Sequence, residues 1–157
     1  MTMYLPQYIP AFRGKRTDGK GWIEGFLVHW CYAGAEIEEF DSHVKHIVYA
    51  DTVSMATGLK DAQNSMIYDG DILQFGRHKV LVYWNDECFQ WRTYLLTEDQ
   101  NDYFSWISEA EGRELGWIAA EAIILCEMTT KIIGNRWDNP ELIPKWLTEE
   151  KVESGSF

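Results

Sequence analysis

A chain of 157 residues is long enough for one domain with its own core and short for two. Its formal net charge of −11 argues against general nucleic-acid binding, which needs a basic stripe to displace phosphate counterions. Cys31, Cys88 and Cys126 are odd in number, far apart and without CxxC spacing, which excludes a disulfide framework or cysteine zinc site and fits a reducing cytoplasm.

The opening segment Met1-Thr2-Met3-Tyr4-Leu5-Pro6 lacks the basic flank and apolar stretch of a leader, and no apolar run approaches about 18 residues, so no membrane segment is expected. From Phe12 to Trp30 the pattern predicts an N-terminal hairpin. A short basic strand leads to the turn Thr17-Asp18-Gly19-Lys20-Gly21, where Asp-Gly tolerates positive φ, and a return strand sets Trp22, Phe26, Val28 and Trp30 on one face. Residues 44–53 alternate as another strand, on which His43 and His46 would point to opposite sides.

Asp61 to Ser65 reads as a turn delivering Ile67 and Tyr68 to the interior, and Asp69-Gly70-Asp71 as a second tight turn into Ile72, Leu73 and Phe75. Lys79 to Trp84 and Cys88 to Tyr94 flank Asn85-Asp86-Glu87 as a second hairpin. Short strands separated by turn signals favour a sandwich or barrel over parallel βαβ units.

Residues 97–120 break that rhythm: Thr97 with Gln100, and Ser108 with Glu111, have capping-box spacing, so short helices are expected in an acidic insertion over 97–127. Ala122 to Cys126 is open between helix end and strand. Met128 to Ile133 reads as the last strand. Asn139-Pro140-Glu141 then places a cap before a proline at the first helical position, and Pro144 limits that helix near 140–147 to about a turn. The tail 149–157 is polar and expected to be loose, leaving one domain over 1–148.

Two segments stand out. One runs from Thr57 to Leu73 and contains Gly58, Asp61, Asn64, Tyr68, Gly70 and Asp71; the other runs from Ile132 to Ile143 and contains Gly134, Asn135, Asn139 and Pro140. Together they resemble the two-part signature of the YopX family of phage and prophage proteins, over most of the chain from Phe12 to Ile143. The family loop usually carries a glycine where Asn64 stands, and Asn is the non-glycine residue best suited to the left-handed region. The resemblance implies a mainly β fold, with strands rolled into a small Src-homology-3-like barrel, encoded by a mobile element and located in the cytoplasm of a bacterial host. It brings no biochemical role, which must be argued from the residues.

Candidate chemistry is sparse. His43 and His46 lack the third ligand that zinc needs, so no metal is expected. Gly19 to Gly25 lacks the helix that a dinucleotide loop aims at pyrophosphate, and no cofactor is expected. Asp69 and Asp71 read as turn residues, and no Ser or Cys stands near a His in a recognised nucleophile–base arrangement, so the chain is not expected to be an enzyme.

Basic and aromatic residues do interleave: Arg13 and Arg16 with Trp22, Arg77 with Trp84, Arg92 with Trp91, and Arg136 with Trp137. Guanidinium forks bind phosphate and rings stack on bases, so these are the candidate ligand-binding residues, although arginines lying over exposed rings would present the same pattern. Two functions follow as expectations. One is a homo-oligomeric accessory protein that sequesters a small ligand, such as a nucleotide immune signal, against host defence. The other is a protein–protein inhibitor or nucleic-acid mimic whose acidic blocks, Glu36 to Asp41 and Glu98 to Glu127, enter a basic groove of a host or phage enzyme.

Overall fold

A computed structural model of the chain describes residues 11–31, 34–75, 78–87, 89–96, 130–145 and 147. The helices expected within 97–120, the open segment Ala122 to Cys126 and the tail 149–157 lie outside the described residues. The chain divides into two compact units, Met1–Gly58 and Leu59–Phe157. The described strands are all antiparallel and lie in two sheets. Among the described residues no helix is long and apolar enough to cross a membrane.

The first unit is built from β1 (Phe12–Lys15), β2 (Trp22–Cys31), β3 (Gly34–Glu38), β4 (Lys45–Val48) and most of β5 (Ser54–Lys60), in the order β4-β3-β2-β1-β5. The N-terminal hairpin forms as the Asp-Gly turn predicts: Gly19 and Gly21 take φ of 78° and 87°, and Arg16 N–H donates to Gly21 O at 2.8 Å. Phe12 pairs with Gly25 and Lys15 with Trp22. One strand was not singled out from the sequence: β3 alternates buried Ala35 and Ile37 with Glu36 and Glu38, the period of a half-buried strand.

The buried face gathers Ala35, Ile37 and Val48, with Phe12, Ile23, Leu27 and Val53 packed against them. Full burial of the Ile37 and Val48 side chains is worth about 1.5–3 kcal/mol each. A bulge between Leu27 and His29 shifts the β2–β3 register. Trp30 consequently stands opposite Ala35, on the Ile37 side, whereas Phe26 stands opposite Glu38 on the other. The expected single face of Trp22, Phe26, Val28 and Trp30 is therefore broken, because one inserted residue inverts the alternation beyond it.

The strand expected over 44–53 is also shorter. It ends at Val48, and Ala50–Thr52 form a 3-10 turn in which the Thr52 hydroxyl donates to Tyr49 O at 2.6 Å. What stops it is a return contact: Tyr49 N–H donates to Lys15 O (2.9 Å) and Thr17 N–H to Ile47 O (3.1 Å), flanking an isolated bridge between Arg16 and Val48. The sheet curls until β4 touches the end of β1. Among the described residues this return is a single bridge and not a ladder, so the closed barrel expected from the sequence is replaced by open sheets.

In the second unit the end of β5 turns through 61–65 into β6 (Met66–Tyr68), followed by β7 (Asp71–Phe75), β8 (His78–Asn85), β9 (Gln90–Leu95) and β10 (Thr130–Asn135). The last four form a sheet in the order β10-β7-β8-β9. Both its faces are covered. Ile67, Leu73, Val80 and Val82 cluster with Leu59, Trp91 and Ile132 on one side, and Ile72, Leu81 and Leu147 with Tyr94, Ile133, Leu142 and Ile143 on the other. Near 140–147, Pro140–Leu142 form a 3-10 turn with Pro140 at its start as expected, and Lys145 and Leu147, beyond Pro144, are α-helical. Asn139 makes no side-chain cap there. Its Oδ1 accepts instead from Asn135 N–H at 3.3 Å.

Candidate functional site

The turn residues of the two segments resolve into backbone clamps. Asp61 is buried, and its Oδ1 accepts from the backbone N–H groups of Gln63 (3.0 Å) and Ser65 (2.8 Å), while Oδ2 accepts from Ile132 N–H (3.0 Å). Burial works to raise its pKa. The donors Ile132, Ser65 and Gln63, with Lys131 nearby, outweigh burial and hold the carboxyl below its ordinary value. Asn64 sits in the same loop at φ 65°, the left-handed conformation expected of it.

In the next turn the fully buried Asp71 accepts from Tyr68 N–H at 2.8 Å, and Asp69 accepts from Trp84 N–H at 3.2 Å. Gly70 has φ 84°, donates to Val82 O (2.8 Å) and accepts from Arg136 N–H (2.9 Å). A Cβ on Gly70 would come within 2.5 Å of the Trp137 ring, so that indole is seated directly on the glycine. Asn135 Oδ1 accepts from the N–H groups of Trp137 (3.0 Å) and Asp138 (2.9 Å). Gly134 leaves room for Asn139, whose Oδ1 would stand 2.2 Å from an added Cβ. Asp61, Asp71 and Asn135 thus spend acceptor capacity on main-chain donors, as turn residues do.

The candidate ligand residues do not converge on one point. Arg13, Arg16 and Trp22 belong to the first unit. There the Arg13 guanidinium lies 4.8 Å from the Trp22 ring centroid and its Nε donates to Ser54 Oγ (3.2 Å), while Arg16 forms an ion pair with Asp18. The Arg16 side chain, by hydrogen bonding, holds Asp18 below the usual carboxylate range.

In the second unit Trp84 and Trp91 face each other across β8 and β9 as an edge-to-face pair, centroids 5.2 Å apart. Arg92, their sequence neighbour, pairs with Tyr83 and so projects from the opposite face, as alternation along a strand requires. Arg136 lies over Trp137 at 4.3 Å. Arg77 falls outside the described residues.

His43 and His46 are each engaged with a different carboxylate. His43 lies before β4 at φ 56° with Nδ1 2.9 Å from Glu38 Oε1, and His46 Nε2 lies 2.9 Å from Glu39 Oε1. The Ser42 hydroxyl and then His46 hold Glu39 below its ordinary pKa.

Sequence reasoning missed one surface. On the face of β2–β3–β4 away from the first core, Phe26, Glu38 and Lys45 form one cross-strand row, and His29, Glu36 and Ile47 the next. Ile47 is 57% exposed and Phe26 36%, and Phe40 packs edge-on against Phe26 at 4.6 Å. The signal was present in the alternation of Glu36 and Glu38 with Ala35 and Ile37, had 34–38 been read as a strand.

None of the curated proteins compared with this chain matches it. A family model described as YopX protein matches residues 12–144, and the chain belongs to that family.

Proposed function

We propose that this member of the YopX family is a non-enzymatic phage accessory protein that acts by binding. In the favoured form it is a homo-oligomer that sequesters a small anionic ligand of nucleotide type and so counters a host defence. Family membership fits the phage origin. Guanidinium lies over a candidate ring at two places, Arg13 over Trp22 and Arg136 over Trp137, and we take the second, the corner where Trp137 rests on Gly70, as the favoured ligand contact.

That corner carries the reading. Arg136 N–H donates to Gly70 O and Trp137 N–H to Asn135 Oδ1, which fixes the backbone that carries the ring and the guanidinium before any ligand arrives and reduces the entropy cost of binding. The test is calorimetry of the purified protein against cyclic and linear nucleotides, with Arg136→Ala alongside. Micromolar binding that the substitution weakens supports the proposal, and no heat from any nucleotide ends it.

A second reading is a protein–protein inhibitor, favoured by the exposed Ile47 and Phe26 standing among Glu36 and Glu38. Residues 34–51 carry five carboxylates, Glu36, Glu38, Glu39, Asp41 and Asp51, against one ammonium, Lys45. Native mass spectrometry of protein purified from bacteria separates the readings, since it reports a retained small molecule or a retained polypeptide.

A further inference from the structure

The second sheet ends at β9, which has a strand neighbour on one side only among the described residues. Leu96 N–H donates to Lys79 O at 2.8 Å, and this bond sets the parity of the strand. In an antiparallel ladder, residues whose main chain faces the partner alternate with residues whose main chain faces away. Arg92 and Tyr94 therefore face β8, and Trp91, Thr93 and Leu95 direct their N–H and C=O groups outward. Natural edge strands are usually blunted by lysine, proline or a bulge. The stretch Gln90 to Leu95 contains neither residue, and its register with β8 runs without a shift.

We propose that the chain self-associates by pairing β9 with β9 of a second copy, antiparallel about a two-fold axis at Thr93, so that two four-stranded sheets become one. This deepens the homo-oligomeric part of the function proposed above and is independent of its ligand. The register follows from two requirements. Outward-facing residues must meet outward-facing residues, which places the axis through a residue and not between residues. Of the two central positions, Arg92 would set one guanidinium against another, and like charges directly opposite are unfavourable.

With the axis at Thr93, threonine meets threonine, a favourable cross-strand pair, and Arg92 stands opposite Tyr94 of the second copy. Tyr94 is already stacked on Tyr83 with centroids 4.4 Å apart and planes 8° from parallel. Each guanidinium thus meets a two-ring stack, a suitable cation–π partner. The same surface is used by both copies, as a two-fold interface requires.

The experiment is sedimentation velocity over a range of concentrations with the full chain and its variants at position 93. The wild type is expected to shift from monomer to dimer as concentration rises. Thr93→Lys and Thr93→Glu each place like charges at the axis and are expected to weaken dimerisation more than about tenfold. Mixing the two in equal amounts is expected to recover the dimer, because lysine then faces glutamate.

Thr93→Pro removes only an outward N–H, since that group does not bond β8, and is expected to give a folded monomer by circular dichroism. A wild type that stays monomeric at every concentration would overturn the proposal. So would an oligomer whose dissociation constant none of these changes moves, or charged variants that fail to recover on mixing. In all three cases the nucleotide-binding reading stands or falls on its own calorimetry.

Discussion

The carboxylate of Asp61 accepts a hydrogen bond from the backbone N–H of Ile132, 71 residues further along the chain, at 3.0 Å. The same loop holds β10 a second time, through Ala62 N–H to Thr130 O at 2.8 Å. The outer edge of β10 is thereby capped by the first signature segment: the turn of one supplies the hydrogen-bond partners of the other.

Replacing Asp61 with Ala leaves the N–H groups of Gln63, Ser65 and Ile132 without their acceptor in a buried place. The expected loss of stability is about 3 kcal/mol, since hydrogen bonds to charged groups contribute about 1.5–3 kcal/mol each and relaxation recovers part. Asp61→Asn keeps an acceptor but turns an amide toward one donor, and its loss should be smaller. Urea denaturation of both variants checks the order, and equal losses would refute the clamp.

The pH dependence has a definite sign. The folded pKa of Asp61 lies below its unfolded value of about 3.9, so its contribution is fully present above that value and is lost as pH falls through the folded pKa. Thermal melts from neutral to acid pH should show the wild type losing stability below about pH 4. Asp61→Asn should lose less over the same window, and parallel curves would refute the assignment.

Gly70→Ala meets two obstacles, a φ of 84° and the Trp137 ring at 2.5 Å. The conformational part is about 1 kcal/mol, and the clash should bring the total above about 2 kcal/mol. Adding Trp137→Leu should recover the clash but not the conformational cost, so a double-mutant cycle should return a clear coupling energy.

Gly14 in β1 is a different case, because its backbone is ordinary and only space is at issue. An added Cβ would stand 2.6 Å from Val48 Cγ2. Gly14→Ala should destabilise by about 1–3 kcal/mol through overpacking, and Val48→Ala in the same chain should offset part of it. Additive losses would mean that the curl bringing β4 to β1 is not held by this contact.

Asn64 at φ 65° should tolerate glycine with a change within about 0.5 kcal/mol, whereas Asn64→Val should cost more than about 1 kcal/mol, because a branched side chain is disfavoured in the left-handed region. Denaturant midpoints of the two variants test this directly.

Local reversals and strand character are legible in the residues alone: Asp18-Gly19, Asp61 to Ser65 and Asp69-Gly70-Asp71 turn where their side chains and φ freedom allow, and the hairpin of β8 and β9 follows from its ring-rich alternation. The Asp61 partners Gln63 and Ser65 lie two and four residues on, local enough to be legible in one dimension.

The remaining features depend on how the strands meet in three dimensions. Arg92 leaves the Trp84–Trp91 pair because adjacent residues of a strand point to opposite faces. Trp30 departs from Phe26 because a bulge inverts the alternation between them. The Arg16–Val48 bridge that curls the first sheet, like the reach of Asp61 to Ile132, joins residues far apart in the chain, and no local propensity encodes such a meeting. It arises when separate strands bury their apolar faces together and their remaining main-chain groups must find partners.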